Sequence, residues 1–230
     1  MSTRLTGIAV ALLPLLASAG SVWIPGYTAN VAVHSVQERR FEHVIRQQYD
    51  FSCGSAALAT LLTYHYADPT TERKTFDLMY QRGDQAKIAK SGFSLLDMKT
   101  YLAENNYEAD GYEASLDTLA NAGVSAIALI NYRGYQHFVV VKGLKEDKVL
   151  IGDPALGTRV TTRTEFESMW PTRILFIIRN KSAVGQQYFN TANEWSSSPR
   201  APLGLAITRE SLAALTINLP TVSASLTSPL

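Results

Sequence analysis

One cysteine, four histidines and no block of like charge: this 230-residue chain is sparing with the groups that usually advertise function. A single thiol permits no internal disulfide, so the fold has to rest on its hydrophobic core. One cysteine and scattered histidines also lack any metal-ligand spacing, and neither a metal nor a cofactor is expected. Lysine and arginine total 21 against 20 aspartates and glutamates, with no basic run and no interleaving of basic and aromatic residues. That balance leaves no electrostatic footprint for nucleic acid or an anionic membrane surface. Past the first nineteen residues no apolar run has membrane-spanning length, and there are no internal repeats.

What is present reads as globular. Hydrophobic residues make up 46% of the chain and charged residues 18%, enough for one core of ordinary size plus a tail. Residues 1–19 have the form of a secretory signal: Arg4, an apolar run from Leu5 to Leu16, and Ala17-Ser18-Ala19 as a small-residue cleavage site. An uncleaved anchor is the competing reading, because apolar character continues weakly through Val22, Trp23 and Ile24. Export makes the periplasm the expected location. A lone thiol in an oxidising compartment is a liability unless it works.

Cys53 sits where it can work. Ser52 is a good N-cap, and Gly54 to Tyr66 is mostly apolar without proline, which predicts a central helix beginning at the cysteine. Unpaired backbone N–H groups and the positive end of the helix dipole meet there and favour thiolate. Residues 20–40 read as a transitional segment, and Phe41 to Gln47 as a short strand or loop. Further helices are expected over Thr70–Gln81, from a capping box at Ser94–Asp97 to about Asn105, and over Ser115–Ala120, with a polar connector between Arg82 and Gly92. The period then becomes that of strands: Ser125–Tyr132, His137–Leu144, Lys148–Asp153, Gly157–Thr162 and Arg173–Arg179, with a helical turn at Glu165–Met169. Helices first and a largely antiparallel sheet second make an α+β class.

Among the histidines, His34 and His43 read as surface residues. His65 lies about 18 Å along the helix from Cys53, too far to touch the thiol. His137 opens a strong strand after Arg133-Gly134-Tyr135, and Asp153 ends the next strand. A hairpin at residues 145–147 brings both to one end, where the carboxylate reaches the imidazole. Cys53, His137 and Asp153 then supply nucleophile, base and orienting group. Each also has a plainer reading, as a buried thiol, a packing histidine and a turn-starting Asp-Pro.

Gln47 six positions before Cys53-Gly54, the run His137-Phe138-Val139-Val140, and Asp153-Pro154-Ala155 resemble the double-glycine (bacteriocin-processing) peptidases, a papain-like cysteine peptidase family. The likeness spans Phe41 to Arg179. The composition after residue 180, rich in Ser, Thr and Pro toward the end, reads as a C-terminal tail over 181–230. The likeness implies a papain-like domain over 41–180 and four roles: Cys53 nucleophile, His137 general base and acid, Asp153 orienter, Gln47 oxyanion donor. Ser52 departs from the aspartate that many members carry there. With no P-loop and no membrane helices beyond the leader, the chain is similar to freestanding exported members, including those encoded with functional-amyloid (Fap) export machinery. The resemblance implies a peptide or protein substrate cut after a Gly-Gly or Gly-Ala pair, with secretion machinery as a further partner. A non-catalytic module that binds a leader or a secretion pore is the alternative.

Overall fold

The computed structural model describes residues 35–196, apart from the Val36 side chain, and the backbone of residues 20–24 and 27–31. The leader at 1–19 and the Ser/Thr/Pro-rich end beyond 196 lie outside the described residues. In chain order the elements are β1 (Gly20–Ile24), β2 (Tyr27–Val31), α1 (Val36–Arg40), α2 (Cys53–His65), α3 (Glu72–Arg82), α4 (Gln85–Ser91) and α5 (Leu95–Glu104). Then come β3 (Ala109–Glu113), α6 (Leu116–Ala122), β4 (Ala126–Tyr132), β5 (Tyr135–Lys145), β6 (Lys148–Asp153), β7 (Gly157–Thr162), α7 (Arg163–Met169), β8 (Ile174–Ile178), α8 (Ser182–Gln187) and α9 (Ala192–Ser196). Strands β3–β8 form a sheet of order β3-β8-β4-β5-β6-β7, antiparallel at every pairing. The fold is α+β, with a papain-like arrangement of a central cysteine-bearing helix against an antiparallel sheet. None of the described helices is long and apolar enough to cross a membrane.

Helix α2 is buried on every side. Ala56, Ala57, Leu58, Ala59 and Leu61 have no accessible surface, and small residues alternating with leucines let α3, α5 and the sheet approach closely. Each such leucine contributes roughly 2–3 kcal/mol by leaving water. On this face of the sheet Ile127, Phe138, Val140 and Phe176 join the α2 core. The alternate residues Ala126, Val139, Val141 and Ile151 point the other way, into a second core with Leu119 of α6, Phe166 of α7 and Trp170. The period of two along β5 thus serves two cores at once.

Two turns set the strand ends that matter for the site. Arg133 and Gly134 both have positive φ (53° and 88°), and Tyr132 pairs with Tyr135 across them. This two-residue hairpin starts β5 at Tyr135, two residues earlier than the pattern around His137 predicts. Glu146, also at positive φ, closes the hairpin between β5 and β6, with Lys145 paired to Lys148.

Four expectations need correction. The transitional segment 20–40 carries the antiparallel β1–β2 pair and α1, which is closed by a local Ser35–Glu38 capping box. The polar connector 82–92 contains α4, because the Asp84 side chain accepts the Lys87 N–H and Ile88 turns inward. Strand β3 was invisible to alternation, since only its first residue, Ala109, is buried. The tail expected from 181 begins as α8 and α9, and Glu194 in α9 is buried. By contrast, the Ser94–Asp97 capping box forms as predicted, with Ser94 and Asp97 each accepting the other's backbone N–H.

Candidate active site

Cys53 is the first residue of α2 and is buried. Ser52 occupies the N-cap position, yet its hydroxyl does not cap the helix. It donates instead to Glu72 Oε1 at 2.5 Å. Glu72, in the first turn of α3, also accepts the Gln48 N–H at 3.1 Å. One buried carboxylate therefore fixes both ends of the 48–52 loop that leads into the cysteine. Ser52 stands where many double-glycine peptidases carry aspartate, and here a carboxylate reaches the same loop from a neighbouring helix. Gly54 follows the cysteine for a steric reason. A Cβ there would meet Met98 Cε at 2.9 Å and Phe93 Cβ at 3.0 Å, so α5 packs directly on this turn only if residue 54 has no side chain.

His137, the third residue of β5, and Asp153, the last of β6, meet at the open end of the hairpin, past a register shift between Val141 and Gly143. His137 Nε2 donates to Asp153 Oδ1 at 2.8 Å, and both side chains are almost fully buried. A carboxylate only accepts, so Nε2 carries a proton, and Nδ1 is the nitrogen that can take and return the thiol's proton. Nδ1 is buried and makes no hydrogen bond of normal geometry, while the Cys53 thiol is near enough to strengthen the ring's hold on a second proton. Asp153 Oδ1 also accepts the backbone N–H groups of Ala155 and Leu156, at 2.9 and 3.2 Å, and Arg159 Nε lies 3.4 Å from Oδ2. One oxygen, Oδ1, thus both starts the turn at Ala155 and Leu156 and accepts the His137 N–H.

Electrostatics follow from this geometry. Burial alone lowers the His137 pKa, but the bond to Asp153 and the neighbouring thiol outweigh it and push it up to about 9. Burial raises the Asp153 carboxyl, and the bond and charge of His137, the Ala155 N–H and the Arg159 charge together outweigh it, so its pKa falls below the ordinary value. A histidine bound more tightly to its proton in the folded state stabilises the fold fully below its unfolded pKa of about 6.5. That contribution is lost as pH rises through about 9. Wild type should therefore hold an advantage over His137→Gln at pH 6, on the order of 3 kcal/mol, that disappears by about pH 10. Urea unfolding of the two proteins at both pH values checks this. An advantage that grows with pH would contradict the assignment.

Gln47 reaches the site by its backbone: its N–H donates to Pro154 O at 3.0 Å, tying the segment before the cysteine to the turn after Asp153. Its side-chain amide donates to Tyr49 O at 3.0 Å and lies 3.5 Å from Asp50 O, while Oε1 is buried without a partner. Of the other histidines, His34 lies outside the described residues, and the two described ones stay apart from the site. His43 is edge-on to Tyr64, and His65, wholly buried, has Nδ1 3.2 Å from Tyr188 O and 3.0 Å from the Ser125 hydroxyl. Among the described residues no group of three or more His, Cys, Asp or Glu is placed to hold a metal ion.

A cleft of about 830 Å³ opens at Cys53. Phe51, Phe93 and Leu95 line one wall, and Leu129, Gln136 and Phe138 of the β4–β5 hairpin the other, with Lys87 and Lys90 of α4 near its edge. Sequence reasoning missed the α4 contribution to this cleft because that helix was taken for a connector. It also missed Glu72 and Arg159, whose charges look like ordinary surface groups until the chain is folded.

The chain can now be set beside known proteins. It is 41% identical over 138 residues to the probable functional amyloid protease FapD of Pseudomonas fluorescens, covering 60% of this chain and 61% of that protein. With the protein of the same name from Pseudomonas aeruginosa it shares 39% identity over 156 residues, covering 68% of this chain and 66% of the relative. The match thus spans less than two thirds of either relative's length. A crystal structure of a double glycine motif protease from an AMS/PCAT transporter, in complex with the leader peptide, is 28% identical with a TM-score of 0.47. It covers 59% of this chain and 89% of that one. The Peptidase C39 family profile matches residues 42–182, more than half of the chain and the whole stretch from the Gln47 segment through the sheet. With the Cys-Gly pair, the His137–Asp153 pair and that match in agreement, the chain belongs to the Peptidase C39 family of cysteine peptidases.

Proposed function

We propose that this chain is an exported, periplasmic cysteine peptidase that cuts a secreted, amyloid-forming protein or its leader after a pair of small residues. Cys53 is the nucleophile, His137 the general base and then acid, Asp153 the orienter, and Gln47 the oxyanion donor. The observation that carries the reading is the buried His137–Asp153 pair, which leaves His137 Nδ1 without a partner beside the thiol at the start of α2.

His137 takes the Cys53 proton, and the thiolate attacks the peptide carbonyl to form a tetrahedral adduct. The imidazolium then protonates the leaving amine, and water, activated by the same imidazole, releases the acyl group from sulfur. Asp153 keeps the ring in the tautomer with Nε2 protonated and stabilises the imidazolium. For Gln47, the bond to Tyr49 O holds the amide in place, and the N–H that only grazes Asp50 O at 3.5 Å is the one free to turn to the oxyanion. The two Pseudomonas relatives, by their description as functional amyloid proteases, support an amyloid-related target.

Incubation with synthetic peptides carrying Gly-Gly, Gly-Ala or Leu-Leu at one position, read by mass spectrometry, tests this. Cleavage after the small pairs and none after Leu-Leu is expected. Binding of the peptides without any cleavage would favour the accessory-module reading.

A further inference from the structure

Tyr135 joins the two walls of the Cys53 cleft. It is the first residue of β5 and stands two residues before His137, with its ring centroid 6.2 Å from the imidazole's. Its hydroxyl donates to the backbone carbonyl of Asp50 at 2.7 Å. Asp50 belongs to the opposite wall, three residues before the nucleophile, and both residues line the cleft that opens at Cys53. This hydrogen bond therefore joins two residues that line the cleft beside the nucleophile. The Tyr135 phenol also feels the cysteine: burial first, then the charges of Cys53 and Asp50, raise its pKa. The ring is 53% exposed, and this solvent-facing bond is of the kind that opens and closes without disturbing a core.

We propose that Tyr135, latched to Asp50, is a specificity-determining residue that narrows the cleft beside Cys53 so that only small side chains pass. This deepens the peptidase reading above and rests on it. The latch has a second consequence in the same loop. Asp50 O accepts the phenol at 2.7 Å and the Gln47 N–H only at 3.5 Å, so that N–H can turn to the oxyanion without leaving the carbonyl unpaired.

Two variants separate the ring from its bond: Tyr135→Phe removes only the latch, and Tyr135→Ala removes both. For each, kcat/KM is measured on peptides cut after Gly-Gly and on matched Gly-Leu peptides. Separately, the rate of Cys53 alkylation is compared for iodoacetamide and for a bulky pyrenyl maleimide. In both variants the preference for Gly-Gly should fall roughly tenfold or more, and the bulky reagent should gain on the small one by a similar factor. Unchanged ratios in both overturn the proposal. A Tyr135→Phe protein that behaves as wild type while Tyr135→Ala opens also overturns it, because the ring alone would then do the work. A peptide preference that stays fixed while the alkylation ratio shifts overturns the specificity role. If no peptide is cut even by wild type, the peptidase reading fails, and the alkylation ratio still decides whether the latch narrows the cleft.

Discussion

Peptide hydrolysis by Cys53→Ala is expected to fall by at least roughly 10⁴-fold, with unfolding close to that of wild type. The two parts of this result come from different features of the same position. Chemically, Cys53 is the only thiol in the chain, so no other sulfur can stand in. Structurally, it begins a helix whose following residues are Gly54, Ser55, Ala56 and Ala57, and alanine is a good helix former. The packing of this turn on α5 depends on Gly54, which the substitution leaves alone. Steady-state kinetics on a cleaved Gly-Gly peptide and a urea unfolding curve check the two halves separately.

The largest expected effect on stability lies on the far side of α2. Lys142 has no accessible surface, and its Nζ lies 2.9 Å from Glu194 Oε2 and donates to His43 O at 2.7 Å. Tyr64 lies 5.6 Å beneath the same ammonium. Burial pulls the Lys142 pKa down, and the Glu194 carboxylate holds it up. Glu194→Ala removes the partner and leaves a charge in the interior, at an expected cost of about 3–5 kcal/mol. Replacing both together, Lys142→Met with Glu194→Leu, should restore most of that stability, because an apolar pair of similar volume owes no desolvation penalty. Urea titration of the single and double variants measures this. A single variant within about 0.5 kcal/mol of wild type would show that the α9 segment is not docked as described.

This pair also shows where sequence stops being readable. Lys142 follows Phe138-Val139-Val140-Val141 and precedes Gly143-Leu144, inside the strand expected over His137–Leu144, and nothing in that pattern says what covers a lysine there. It is buried because residues after the sheet fold back over it. Asn190 takes the Leu144 N–H and gives its own side-chain N–H to Leu144 O, while its backbone N–H donates to Lys142 O. Nothing in the polar stretch from Gly185 onward announces a segment that completes a strand edge, since its contacts are hydrogen bonds and its pattern has no period. Residues 182–196 also continue past the end of the family match at 182.

The site was more legible than the strap, for a physical reason. The spacing of His137 and Asp153 placed both at the open end of one hairpin. The register shift between Val141 and Gly143, which the sequence did not announce, sets the pairing from which the 2.8 Å bond forms. Cys53 at a helix start was readable from the apolar run behind it. The capping role expected of Ser52 was not, because it turns on a carboxylate twenty residues away on α3. The same holds for Tyr135, whose partner Asp50 lies 85 residues away. Local propensity sees the element, and only the folded chain shows which loop it touches.

The pairing of Cys53 with His137 is tested most directly by labelling. A Gly-Gly peptide bearing an electrophile in place of the scissile bond should add once to the wild-type protein, and intact-mass and peptide mapping should place the adduct on Cys53. In His137→Ala the rate of that addition should fall by at least about 100-fold at pH 7. Equal labelling of the two proteins would contradict a thiol activated by His137.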